Sequence, residues 1–144
     1  MVGAGLEVID WFAVAGELGD GGWVRLRAAV NEEARTVLTE AAPPTWSLLP
    51  EIEGRVRQGG WSSGVFFDHA VLSVQEFGRN ICEELNAGAR HLPAVPLFNE
   101  VQWGRSQEGM GFITAHRDPP AAGGIIAIVT LTGRARCFAS GAVT

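Results

Sequence analysis

The chain predicts an α+β fold, on three observations. Two segments in the first two thirds carry apolar residues at helical spacing. From Leu97 onward the texture changes to short β-branched and aromatic runs separated by Gly and Pro. Helical segments ahead of strand-like ones, rather than alternating with them, are the order of an α+β domain, and no internal repeat is visible. A chain of 144 residues, 47% apolar and 19% charged, suits one globular domain over 1–144, with a mainly helical front over 1–96 and the start of a β core over 97–144.

In chain order, Gly19-Asp20-Gly21-Gly22 reads as a turn, followed by a short extended piece over Trp23-Val24-Arg25-Leu26. Leu26 to Ala42 reads as an amphipathic helix, with Leu26, Val30, Val37, Leu38 and Ala41 on the apolar side and Pro43-Pro44 as its stop. Residues 45–67 read as irregular, because Pro50, Gly54, Gly59, Gly60 and Gly64 interrupt Trp46, Leu48, Leu49, Trp61, Phe66 and Phe67. That stretch is core packing around a loop, or one wall of a substrate cleft. The strongest helix is expected over about Asp68 to Arg90, with Val74, Phe77, Ile81 and Leu85 as its stripe and Asp68 as its cap. Leu97–Arg105, Met110–Ala115 and Gly124–Thr132 are the expected strands. The run Ile125-Ile126-Ala127-Ile128-Val129-Thr130-Leu131 is apolar enough for a strand buried on both faces.

Composition excludes several chemistries. All 11 basic residues are Arg, so neither a Schiff-base lysine nor a P-loop lysine exists. A net charge of −5 gives no basic footprint for nucleic acid. Cys82 and Cys137 are far apart and outside any CxxC pattern, as expected of reduced thiols in a cytoplasmic protein. The N-terminus lacks the basic region of a signal peptide, and no run approaches the roughly 18 apolar residues of a membrane span.

The segment with chemical content is Met110-Gly-Phe-Ile-Thr-Ala-His116-Arg117-Asp118-Pro-Pro120. In an extended chain, side chains two residues apart lie on one side, so His116 and Asp118 can face one point while Arg117 faces away. An imidazole and a carboxylate are two of the three ligands of a 2-His-1-carboxylate facial triad, which suits non-haem Fe(II). The alternative for the pair is a surface turn with an incidental His–Asp hydrogen bond. A kinase catalytic loop, which also contains His-Arg-Asp, is excluded: no Asn follows at the required spacing, no Gly-rich loop opens the chain and there is no Lys. His69 and His91 flank the long helix and read as structural. The five Trp read as packing, with one or two available to line a cleft.

A strand-like piece at Phe98–Trp103, a second one leading into HxD, and a Gly-rich turn and long apolar run after it resemble the Fe(II)/2-oxoglutarate-dependent oxygenase family. The resemblance is best over residues 97–136. It implies helices packed on a partial double-stranded β-helix, or jelly roll, with His116 and Asp118 as iron ligands and 2-oxoglutarate as cosubstrate. It also implies a cosubstrate-holding side chain on the strand before HxD. With no Tyr in the chain, Gln102 is the stand-in, and Thr130 after the pair is a second candidate. The family's distal His and its 2-oxoglutarate-binding Arg have no counterpart: no His follows Asp118, and Arg134 and Arg136 fall too early. The chain therefore reads as a truncated oxygenase acting on a small molecule or peptide. The alternative is a non-catalytic jelly-roll remnant that serves as a binding module, with a homodimer covering exposed strand edges. A third is a triad completed by another subunit or an exchanged segment.

Overall fold

A computed structural model describes residues 5–49, 58–89, 94–109, 111–113 and 124–133. The α+β class is present, but helices and strands interleave. Helix α1 (Trp11–Gly21) comes first, bracketed by local signals. The Asp10 carboxylate accepts from the Ala13 amide at 3.1 Å, and Gly22 closes the helix at φ 75° with its N–H on the Leu18 carbonyl. The Gly-rich piece expected to be only a turn is thus the last turn of a helix and its cap. Helix α2 (Glu32–Glu40) is shorter than expected. Asn31 is a better start than any residue near Leu26: its side chain accepts from the Ala34 amide at 2.8 Å, and Glu32 and Glu33 sit at the positive end of the dipole. Residues before it instead make an isolated bridge, Val30 to Leu6.

The described residues of the stretch expected to be irregular contain three strands, β1 (Ser47–Leu48), β2 (Gln58–Gly59) and β3 (Trp61–Phe66). Gly60 kinks the chain between β2 and β3 without ending the pairing. Its φ is 122°, and a Cβ there would lie 2.6 Å from the Arg105 carbonyl oxygen, so glycine is required. A 3-10 turn (Phe67–His69) then leads into α3 (Leu72–Gly88). Asp68 is not its cap. Phe67 is buried and its N–H donates to the Asn99 carbonyl, which makes 67–69 the corner between sheet and helix and leaves Asp68 in solvent. The Gln75 amide reaches back instead, donating to the Ala70 carbonyl at 2.7 Å.

Strand β4 (Glu100–Arg105) runs antiparallel to β3, giving the order β1-β3-β4, and β5 (Phe112–Ile113) pairs with β2. Arg105 pairs with Trp61, and Phe112 with Gly59. Two steps from β3 back to β2 match seven from β4 on to β5, so β3–β4 is the main antiparallel ribbon and β2–β5 is a second, two-stranded sheet.

Alternation decides which face of the ribbon is covered. Val65, Val101 and Trp103 lie on one face and pack with Leu38, Val74 and Phe77. The Trp103 indole N–H donates to the Leu38 carbonyl at 2.9 Å, joining sheet to α2. The Ser63 hydroxyl, also buried, donates to the Thr45 carbonyl at 2.6 Å. Helices α1 and α3 pack against each other where Gly88 meets the backbone of Trp11.

The expected two-faced strand at Gly124–Thr132 is not formed. Val129 and Leu131 pack on the core, but Ile128 is 82% exposed. A strand buried on both faces needs ladder neighbours to satisfy its backbone, and among the described residues none pairs with this segment.

Candidate functional site

The face of the ribbon away from the helices holds the candidate site. The residues alternating with Val65, Val101 and Trp103 are Gly64, Phe66, Glu100 and Gln102, and all four are exposed. Register sets them opposite one another: Gly64 faces Gln102 and Phe66 faces Glu100. Together with Val65, Val101 and His69 they line an open cleft of about 340 Å³. Gly64 forms its floor, since a Cβ there would come within 3.3 Å of the Val101 carbonyl and 3.4 Å of Gln102 Cγ.

The walls are aromatic and acidic. Phe66 is 67% exposed, and the His69 ring meets it edge-on at a centroid distance of 6.0 Å. His69 Nε2 lies 4.0 Å from Asp68 Oδ1. The Gln102 amide N–H donates to Glu100 Oε1 at 3.2 Å, which leaves the amide oxygen as the outward acceptor of that pair. The basic residue of β4, Arg105, belongs to the other face, where its guanidinium stacks 4.3 Å from the Trp46 ring centroid and 5.9 Å from that of Trp61.

Of the residues singled out from sequence, Gln102 is in this cleft. Thr130 is exposed, lies on the segment that makes no ladder, and is not among the cleft-lining residues. His116, Asp118, Arg117 and His91 lie outside the described residues, as do Arg134, Arg136 and Cys137. Among the described residues no group of three or more His, Cys, Asp and Glu could hold a metal ion, and no helix is long and apolar enough to cross a membrane. Sequence reading missed Phe66, His69 and Glu100 as a set. No clean period-2 signal was available, because Ser63 on the inner face and Phe66 on the outer one break the alternation of Trp61-Ser-Ser-Gly-Val-Phe66.

No protein-family model, no curated protein and no solved structure matches this chain.

Proposed function

We propose that the chain is an Fe(II)/2-oxoglutarate-dependent oxygenase module whose metal half-site is His116 and Asp118. One observation carries the reading: Gln102 projects from β4 on the face of the ribbon that the helices leave uncovered. In a jelly roll of the family the sequence resembles, such a face would be the cosubstrate side, and β5 leads in sequence toward His116-Arg117-Asp118. The donor set suits the ion, an imidazole and a carboxylate being hard or borderline ligands for Fe(II). Iron with 2-oxoglutarate would supply oxidation of an unactivated C–H bond coupled to decarboxylation of the oxo acid.

The chain's own groups have separable tasks. Gln102 would orient the cosubstrate through its amide, which requires it to turn from Glu100. Glu100 opposes the negative charge of an oxo acid, so the charge of the metal must offset it. The substrate is a small molecule or peptide, and no third ligand is assigned. Two protein ligands hold Fe(II) weakly, so turnover by this chain is expected to be slow or absent.

Anaerobic titration with Fe(II) and 2-oxoglutarate, followed by visible absorption and succinate release, tests this. The expected result is a weak metal-to-ligand charge-transfer band that His116→Ala and Asp118→Ala each abolish. No band at saturating metal, or a band indifferent to both substitutions, refutes the proposal. A band without succinate release identifies a non-catalytic remnant that keeps the half-site.

A further inference from the structure

We infer that the cleft between Phe66 and Glu100 is a binding site for an alkylguanidinium or alkylammonium group. Three observations point to a cation. The formal charge on the described lining residues is the Glu100 carboxylate, and none of these residues is Arg. The Phe66 ring stands exposed at the position register sets opposite the carboxylate, an aromatic surface available to a positive charge. The Gln102 amide N–H is engaged with Glu100, so its carbonyl oxygen is left to accept from a donor in the cleft. Carboxylate, aromatic ring and amide oxygen together match the donors and charge of a guanidinium or ammonium head.

Size supports a small group. A cleft of about 340 Å³ is at the lower end of the roughly 300–1,000 Å³ of ligand sites, so it suits one side chain or a small amine. Glycine at 64 keeps the floor clear, and Arg105, at the far end of β4 from Glu100, lies on the opposite face beside Trp46 and Trp61. The inference goes beyond the oxygenase reading and does not rest on it: the cation takes Gln102 in its Glu100-bonded position, whereas the cosubstrate would need Gln102 turned away, so the two ligands exclude one another at this residue.

The test is an amide-shift titration of the full chain, without metal, using ethylguanidinium and, in a second arm, a capped Gly-Arg-Gly peptide. N-propylurea, which is neutral and similar in shape, is the control. Saturable shifts are expected at the amides of 64–66 and 100–102 with the cations and not with the urea. Glu100→Gln and Phe66→Leu should each weaken binding about three- to tenfold, and Gly64→Thr should abolish it. Tighter binding of the peptide assigns the site to a peptide side chain, and equal binding assigns it to a free amine. Equal shifts with the urea, shifts elsewhere on the chain, or Glu100→Gln binding at wild-type strength with a native spectrum would overturn the inference. Because no metal is present, failure here leaves the iron half-site standing, and failure of the iron titration leaves this site standing.

Discussion

Trp103→Phe tests how the sheet is joined to the helices. Trp103 is 8% exposed and its indole N–H donates to the Leu38 carbonyl at 2.9 Å across 65 residues of sequence. That carbonyl belongs to the last turn of α2, where backbone oxygens have no helical partner. Val37 and Thr39, on either side, are served by the amides of Ala41 and Ala42. Phenylalanine keeps a ring in the core but leaves the Leu38 oxygen buried and unpaired, which costs about 1–3 kcal/mol. The smaller ring adds about 1–2 kcal/mol of lost packing, a fraction of the roughly 3–5 kcal/mol for removing a whole aromatic side chain. The total of about 2–5 kcal/mol is large against a domain stability of about 5–15 kcal/mol. It corresponds to a Tm lower by about 5–15 °C at this chain length. Urea unfolding should be followed by far-UV circular dichroism, because the substitution removes one of the five Trp that fluorescence would report. In the native protein the same indole N–H should be protected from solvent exchange. A loss below about 0.5 kcal/mol with an unchanged m-value, or an indole that exchanges like a surface Trp, would show that this bond does not tie β4 to α2.

Two glycines of similar helical setting should respond with opposite sign. Gly88→Ala would place a methyl 2.5 Å from the Trp11 carbonyl oxygen and 3.0 Å from the Phe12 amide, so α1 must move off α3, at a cost of about 1–3 kcal/mol. Gly16→Ala in α1 has nothing within 4 Å and should stabilise by about 0.5–1 kcal/mol in thermal melts; equal effects at the two sites would refute the described packing. Cys82 is buried, and desolvation, with a smaller contribution from Glu83, raises its thiol pKa against the opposing hydrogen bond from the Phe98 backbone. In a Cys137→Ser background, iodoacetamide at pH 8 should label folded Cys82 at least about tenfold more slowly than the denatured chain. The sign for stability follows from the raised value. The protonated thiol's contribution is complete below the ordinary pKa of 9.0, and it is lost as pH rises through the higher value of the folded state. Rapid labelling of the native protein would contradict this burial.

Local chemistry was legible where it acts within a few residues. The stripe Val74, Phe77, Ile81 and Leu85 specifies α3 because its period holds for nearly the whole helix. The alternation around Val101 and Trp103 specifies β4, whereas Gln102 was singled out through the family resemblance and not through the face it occupies. Signals were misread where a residue serves two roles. Asp10 and Gly22 bracket α1 as cap and stop, yet the glycines alone suggest only a turn. Gly60 and Gly64 look like breakers in sequence. One is the kink at which the chain passes from the sheet of β2 to that of β3, and the other is the floor of a cleft.

The sequence by itself determined the α+β class, the long helix and the strand carrying Gln102. Each depends on periodicity along the chain. Tertiary structure alone decided that β3 precedes α3 yet pairs with β4 beyond it, because that register is a contact between residues some 40 apart and leaves no local trace. It also decided that Phe66, His69, Glu100 and Gln102 share one cleft. And it decided that the apolar run at 125–131 makes no ladder, since a strand is defined by its neighbours as well as by its own residues.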